Sequence, residues 1–252
     1  MATVGPVLDY NIEAAVYDAT RGGLPRAEAA ASAVQNLVPP SARTLLDIGC
    51  GTGLVTEQIA LGRPELRVIG ADASLGMARM AHQRIAAVTL ADVRSLPVAD
   101  AAVDAVTAVW LLHLLGSAGA VGDVVGEAAR VLRPGGVFVT TVDKDAGHHV
   151  GSDIDELFAR HLTSDASDSA EIVRGYGKRY SLEQVGKARF AGHGQGRSPL
   201  DTAQAVRQGK FASRLALPGD AAEQLARRLT SLPEPDRPRP DPSFRLLAFR
   251  RI

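Results

Sequence analysis

Short apolar runs alternate with stretches of helical spacing along residues 44–143. The apolar runs have the length of strands, and between them apolar residues recur every three or four positions, as in amphipathic helices. Strands that alternate with helices predict a parallel sheet whose two faces are both covered, which explains why the runs are apolar throughout. The predicted strands are 44–48, 67–72, 88–93, 102–110 and 137–142, and Leu-Arg-Pro-Gly-Gly at 132–136 predicts a turn before the last of them.

Helical patterns dominate the segments on both sides of this core. Residues 1–40 predict an N-terminal helical cap, and residues 144–241 predict a lid and substrate wall that hides a sixth strand. Residues 243–252 predict the last strand, so the whole of 1–252 is expected to be one α/β domain with its core over 41–143. The predicted helices are 12–17, one that begins at Pro25, 54–61, 75–86, 122–131, 154–162, 181–188, 200–215 and 219–231.

Three glycines at alternate positions follow the first predicted strand. The strand ends at Asp47 and Ile48, and Gly49, Gly51 and Gly53 come next. Glycine has no Cβ, so it permits positive φ and lets a ligand approach the backbone closely. Because a helix follows, the loop carries its amide groups to a helix N-terminus. A strand, a glycine turn and a helix together form the nucleotide-side corner of an α/β crossover unit.

The glycine spacing narrows the choice of ligand. The dinucleotide fingerprint is Gly-x-Gly-x-x-Gly, and a phosphate loop needs a Lys followed by Ser or Thr after its last glycine. This chain has Gly-x-Gly-x-Gly and no such Lys. The spacing therefore favours a cofactor without phosphate and disfavours a nicotinamide oxidoreductase. Asp47 agrees, since a carboxylate repels phosphate but helps to hold a cationic ligand.

The segment 47–53, Asp-Ile-Gly-Cys-Gly-Thr-Gly, resembles motif I of the class I S-adenosylmethionine-dependent methyltransferases. Acidic residues at the ends of the second and third strands and the Pro-Gly-Gly turn resemble further motifs of this family, in the family's order. The resemblance implies a doubly wound, mostly parallel, seven-stranded Rossmann-like sheet with an antiparallel last strand. It also implies S-adenosyl-L-methionine as cofactor and S-adenosyl-L-homocysteine as product.

The same resemblance implies which residues hold the cofactor. Tyr17 would close the pocket and Arg21 would face the methionine carboxylate, a task that suits the planar, always charged guanidinium. Asp72 would accept hydrogen bonds from the ribose hydroxyls, and Asp92 would accept one from the adenine amino group. The alternatives without a ligand are that Arg21 lies in a solvated loop and that the segment after Asp72 caps the next helix. The other residues expected at the cofactor site are Asp47, Gly49, Cys50, Gly51, Gly53, Ala73, Met77, Val93, Trp110 and Leu111.

Methyl transfer from a sulfonium is an in-line displacement, so the enzyme mainly positions two reactants and excludes water. A base is needed only where the acceptor must lose a proton, and histidine titrates near working pH. His113, just after the fourth strand, is the first candidate, and His148 and His149, just after the fifth, come next. A structural or surface role is the alternative for each of these histidines.

Composition limits the classes of partner. Lys plus Arg (28) equals Asp plus Glu (28), which gives no reason to expect nucleic-acid binding. The single Cys50 excludes an internal disulfide and a cysteine-based zinc site, and no metal is expected. No apolar run reaches a membrane span, and residues 1–10 lack the pattern of a signal peptide. We therefore expect a cytoplasmic, bacterial protein, a monomer or homodimer, with no membrane contact.

Three functions stay open at this point. The first is methyl transfer to an O, N or C atom of a small molecule, with secondary metabolism as one source of acceptors. The second is methylation of a macromolecule, which ought to add a basic face or a recognition domain. The third is a protein that binds the cofactor with altered or no methyl transfer, because a fold does not by itself fix a function.

Overall fold

The computed structural model of the protein describes residues 9–163, 166–211 and 214–252. Within these ranges one sheet is covered by helices on both faces. Its strands are β1 Thr44–Ile48, β2 Arg67–Asp72, β3 Val88–Leu90, β4 Val103–Ala108, β5 Leu132–Val142, β6 Leu182–Ala191 and β7 Ser243–Arg251. The helices are α1 Tyr10–Thr20, α2 Gly23–Gln35, α3 Leu54–Gly62, α4 Leu75–Ala81, α5 Ala118–Val131, α6 Lys144–Gly147, α7 Asp153–Phe158, α8 Ala170–Arg179, α9 Pro199–Arg207 and α10 Ala221–Thr230, with a 3₁₀ turn at Leu112–Leu114.

The strand order is β3-β2-β1-β4-β5-β7-β6, and the first five strands in the chain run parallel. β7 lies between β5 and β6 and is antiparallel to both. This sheet confirms the predicted fold class. The direction of winding reverses between β1 and β4, and ligands of open α/β sheets bind beyond the carboxyl ends of the strands at such a point.

The two faces of the sheet carry separate apolar clusters. Leu45 and Leu46 are both fully buried, but successive side chains of a strand point to opposite faces. Leu45 packs with α2, α3 and residues such as Phe244, whereas Leu46 packs with α5, α8 and residues such as Phe138. This double coverage explains why β1 reads as a continuous apolar run.

A third apolar cluster lies within 144–241. It joins α7, α9 and α10 through buried side chains that come from all three helices: Ile154, Phe158, Ala203, Val206, Leu225 and Leu229. This region therefore packs its own small core beside the sheet. Its assignment as a lid and substrate wall stays a prediction.

The predicted helix over 181–188 is wrong, because this segment begins β6. Ser181 does not cap a helix: its φ is +55°, and Leu182 then pairs with Arg251 of β7. β6 is an edge strand of the sheet, and five of its ten residues are exposed, four of them polar or charged, as expected for such a strand. The hidden sixth strand predicted for this region is thus present, but in the place assigned to a helix.

Other boundaries shift as well. The Gly-Tyr-Gly segment at 175–177 lies inside α8, a helix absent from the predicted set, and Tyr176 packs against Gly122 of α5. The predicted turn at 132–136 is part of β5, where it forms a bulge opposite Val103 and Ala105.

The lengths of several elements also differ. β3, β4, α4, α7 and α9 are shorter than predicted, and α1 is longer. Residues 212 and 213 of the helix predicted over 200–215, and residues 1–8 of the predicted cap, lie outside the described residues. In the part of the chain that the structure describes, no helix combines the length and apolar character needed to cross a bilayer.

Candidate active site

A cavity of about 700 Å³ opens at the carboxyl ends of β1, β2 and β4; we call it the large cavity. The loop after β1, the start of α4 and the residues after β4 line it, and α1 and the start of α2 contribute from another side. Of the residues predicted at the cofactor site, the structure brings all but Gly53 to this cavity: Tyr17, Arg21, Asp47, Gly49, Cys50, Gly51, Asp72, Ala73, Met77, Asp92, Val93, Trp110 and Leu111.

The amide groups of the glycine loop are largely used within the protein. Gly49 and Cys50 donate to the Ala71 carbonyl, and Gly51 donates to Asp72 Oδ2 at 2.8 Å. A phosphate-binding loop instead points such amides at its ligand. The loop therefore does not form a phosphate cradle, in agreement with the glycine spacing. A Cβ at Gly51 would meet open space, so a ligand can approach the backbone there.

Gly53 does not line the large cavity. Its φ is +78°, and a Cβ added there would lie 2.9 Å from the Cα of Ala81 in α4. The absence of a side chain at Gly53 lets α3 begin close to α4. This glycine therefore has a packing role and does not itself line the cavity.

Asp47 lies beneath the glycine loop and is only 3% exposed. Its two oxygens accept hydrogen bonds from the hydroxyls of Thr56, at 2.5 Å, and Thr107, at 2.6 Å. Burial raises the pKa of Asp47 to about 6, against the lowering effect of the two threonines. The carboxylate thus connects β1 to α3 and β4, and its charge lies close to the cavity.

Asp72 stands at the carboxyl end of β2, next to the glycine loop. Its Oδ1 accepts the Ser74 amide and its Oδ2 the Gly51 amide, both at 2.8 Å. Ser74 Oγ accepts a hydrogen bond from the Met77 amide, so Ser74 caps α4 while the nearby Asp72 lines the cavity. Burial raises the pKa of Asp72, while its amide partners oppose the shift.

Asp92 lies beyond the end of β3 and is held by Arg94. The guanidinium of Arg94 donates to both carboxylate oxygens, at 2.7 to 3.2 Å. This partner lowers the pKa of Asp92 to about 2, so the group is ionised at neutral pH. The adjacent Val93 and the Met77 of α4 are both buried at the cavity wall.

Helices α1 and α2 bring two guanidinium groups to the large cavity. Arg21 lies with its Cζ 5.8 Å from the ring centre of Tyr17, and its buried Nε has no partner among the described residues. Arg26, which the sequence analysis did not single out, is 7% exposed and stacks 3.6 Å above the ring of Trp110. The sequence feature that could have identified Arg26 is its position. It lies four and seven residues before Ala30 and Ala33, on the same apolar face of the helix.

α1 is attached to the cavity at both ends by residues that the sequence analysis also missed. Asn11 Oδ1 accepts the Ser74 hydroxyl and the Gly76 amide. At the other end, Asp18 accepts the Thr52 hydroxyl at 2.7 Å and pairs with Arg84 at 2.8 Å. Only Ala14 of this helix is buried, so these polar contacts fix α1 over the cavity.

None of the three candidate histidines lines the large cavity. His113, in the 3₁₀ turn, is absent from the large-cavity lining; its buried Nδ1 has no partner among the described residues, and burial lowers its pKa well below the usual value. His148 lines a second, smaller cavity, and burial together with Arg197 lowers its pKa as well. His149 is exposed. In the described ranges, no group of three His, Cys, Asp or Glu side chains is arranged to hold a metal ion.

The sequence matches to known proteins fall mainly in the parallel core of the sheet. A family profile for a methyltransferase domain matches residues 46–140. The malonyl-[acyl-carrier protein] O-methyltransferase of Hahella chejuensis is 40% identical over 96 residues, which is 36% of this chain and 33% of that protein. The demethylmenaquinone methyltransferase of Symbiobacterium thermophilum is 35% identical over 104 residues, which is 38% of this chain and 40% of that protein. The chain thus spans less than half the length of these relatives.

A solved structure agrees over nearly the whole chain. The [4+2]-cyclase SpnF superposes with a TM-score of 0.61 and covers 96% of this chain and 94% of its own, at 19% sequence identity. At this identity the likeness shows the fold. Residues 46–140 thus match a methyltransferase domain and lie within the seven-stranded sheet, in agreement with the resemblance to the class I S-adenosylmethionine-dependent methyltransferases.

Proposed function

We propose that the protein binds S-adenosylmethionine in the large cavity and transfers its methyl group to an O, N or C atom of a small molecule. One observation carries this proposal. The cavity joins the Asp72 carboxylate, beside the glycine loop, with the guanidinium of Arg21, the residue directly after α1. A carboxylate suits ribose hydroxyls, and a guanidinium without a carboxylate partner among the described residues suits the methionine carboxylate.

The residues that would hold the cofactor fit its other groups. Asp92 offers acceptor oxygens for the adenine amino group, and Met77 and Val93 offer apolar surface to the base. Asp47 supplies negative charge near the loop, which favours a sulfonium over a phosphate. Tyr17 adds an aromatic face, which attracts cations, whereas the Trp110 ring is already stacked against Arg26.

When bound, S-adenosylmethionine supplies a methyl group that is already activated by its positively charged sulfur. The chain's own task is to hold the acceptor in line with the carbon–sulfur bond and to exclude water, which can account for several kcal/mol of barrier lowering. α1 covers the cavity and carries Tyr17, so we assign the exclusion of water to this helix. For an acceptor that must lose a proton, His113 is the proposed base, although it does not line the large cavity; its lowered pKa keeps the ring neutral.

The relatives' names support an organic acceptor. One relative is named for malonyl-[acyl-carrier protein] and the other for demethylmenaquinone. A second candidate function is binding of the cofactor with altered or no methyl transfer, because the solved structure with the same fold is a [4+2]-cyclase.

Calorimetric titration with S-adenosylmethionine and S-adenosylhomocysteine tests the proposal. We expect both to bind the wild type and Asp72→Asn to weaken both by more than tenfold. Asp123→Asn is the matched control, because Asp123 is an exposed carboxylate of α5. The absence of binding to the wild type would overturn the proposal, and tighter binding of NAD would replace it with a dehydrogenase. A cofactor that binds but yields no methylated product with any screened acceptor favours the second candidate.

A further inference from the structure

A second cavity of about 20 Å³, the small cavity, lies where α7, the loop after β6 and the connector before β7 meet. Its polar lining is His148, Ser152, Asp155, Gln195, Arg197, Arg214 and Arg239. Phe244 stands between the two cavities, with its ring centre 5.5 Å from that of Trp110 and 5.3 Å from that of His148. The small cavity is thus one aromatic ring away from the wall of the large cavity.

Two of the arginines at the small cavity have no carboxylate partner within the described residues. Arg197 is partly buried, donates to His148 Nδ1 at 3.3 Å and lies 5.0 Å from the ring centre of Phe211. Arg214 is only 8% exposed and lies 5.9 Å from the ring centre of Phe158. Each guanidinium therefore has an aromatic neighbour but forms no ion pair with the residues that the structure describes.

The other charges near this cavity are already matched. Arg239 pairs with Asp153 at 2.7 Å, and Lys144 lies 3.6 Å from Asp145. Asp155 accepts three hydrogen bonds at one oxygen, from the Val150 amide and from the amide and hydroxyl of Ser152. Asp155 can balance one guanidinium, so the described lining carries one uncompensated positive charge.

Such a charge is costly in a protein that binds nothing there. Removal of a cation from water costs several kcal/mol, and a partner anion has to compensate for this. The two arginines also repel each other, since burial and the charge of Arg214 lower the pKa of Arg197 to about 10. An anion bound beside both guanidinium groups would compensate for the unmatched charge.

We propose that the small cavity anchors a carboxylate of the methyl acceptor through Arg197 and Arg214, while the atom to be methylated lies in the large cavity. This inference rests on the proposed function. One excess positive charge matches a monoanion, and a planar carboxylate can accept two parallel hydrogen bonds from a guanidinium. The small cavity, at about 20 Å³, exceeds only slightly the roughly 10–15 Å³ that one water molecule needs, so a phosphate or diphosphate, which is larger and carries more charge, fits it less well than a carboxylate.

Binding of simple anions tests the assignment. With S-adenosylhomocysteine at saturation, straight-chain carboxylates from butyrate to decanoate are titrated calorimetrically, with the matching primary amides, inorganic phosphate and pyrophosphate alongside. We expect the best carboxylate to bind at least tenfold more tightly than its amide. Arg197→Met and Arg214→Met should each abolish this preference, and Arg207→Met should retain it, because Arg207 is an exposed arginine of α9 that pairs with Glu223.

The outcomes separate the two proposals. All three variants should bind S-adenosylhomocysteine like the wild type, because neither cavity arginine lines the large cavity. Failure of the wild type to bind it overturns the proposed function. If it binds but carboxylates and amides are equal, or phosphate or pyrophosphate binds more tightly, only the carboxylate anchor is overturned. Arg197→Met should melt at or above the wild-type temperature. A large drop would indicate a structural role for Arg197, and the carboxylate preference of Arg214→Met would then test the proposal.

Discussion

Asp47 shows how one residue of the glycine motif serves the fold and the site together. It lies below the loop, bound by two threonine hydroxyls from different elements, Thr56 of α3 and Thr107 of β4. The sequence placed a carboxylate before the glycines, but only the fold reveals that its oxygens already have partners. Its burial makes the protein's stability depend on pH.

The pH dependence of Asp47 has a definite sign. Its pKa in the folded protein is about 6, above the ordinary value of 3.8 for an aspartate, so the native state binds the proton more tightly than the unfolded state. The free energy of unfolding should therefore fall as pH rises from 4 to 6, by up to about 3 kcal/mol, at 1.36 kcal/mol per pKa unit.

Urea denaturation at several pH values measures this effect. The difference between wild type and Asp47→Asn should decline between pH 4 and 6 and stay level above pH 7, while Asp123→Asn should follow the wild type. A difference that is constant or grows with pH would contradict the raised pKa.

At the scale of elements, α1 and α5 are held in different ways. α5 buries seven residues against the sheet, whereas α1 buries only Ala14 and is fixed by polar contacts at its ends. Apolar burial stabilises a helix through many small contacts, but a few exposed hydrogen bonds break more easily. We therefore expect α1 to move away from the cavity when a ligand enters.

Hydrogen exchange distinguishes the two helices. Amides of α1 should exchange faster than those of α5, and S-adenosylhomocysteine should slow α1 by tenfold or more. Asp18→Asn weakens the contacts with Thr52 and Arg84, so it should speed exchange in α1 severalfold and leave α5 unchanged. Glu13→Gln is the control on the same helix; an equal effect of both substitutions would argue against the Asp18 attachment.

At the scale of the whole molecule, the last strand completes the sheet. β7 enters between β5 and β6, and five of its side chains, from Phe244 to Phe249, are buried. They contribute to the clusters on both faces of the sheet. The C-terminal segment therefore links the parallel core to β6.

Loss of one side chain in β7 should show this link. Phe249 packs against Phe138 of β5, with ring centres 6.4 Å apart, and Phe249→Ala should lower the free energy of unfolding by about 3–5 kcal/mol. The neighbouring Arg250 is exposed, so Arg250→Ala should change it by no more than about 0.5 kcal/mol. Urea denaturation of both variants measures the contrast, and similar losses would show that β7 contributes little to the core.

The sequence by itself determined the features that local pattern encodes. β1 and β2 have the predicted bounds, because each is an apolar run between turn residues, and the order of strands and helices fixed the doubly wound class. Most of the residues predicted at the cofactor site come together because they lie at the carboxyl ends of parallel strands, which share one edge of the sheet, whereas Tyr17 and Arg21 reach the cavity from α1 and its C-terminus.

Only the tertiary structure decided the features that depend on distant partners. β6 forms because β7 offers it an edge to pair with, although 181–188 has helical spacing. Arg26 meets Trp110, and Arg197 lies beside Arg214 without an ion pair in the described residues, through contacts between distant segments. Pairing at a sheet edge and the balance of buried charge are set by neighbours in space, and the linear sequence does not record those neighbours.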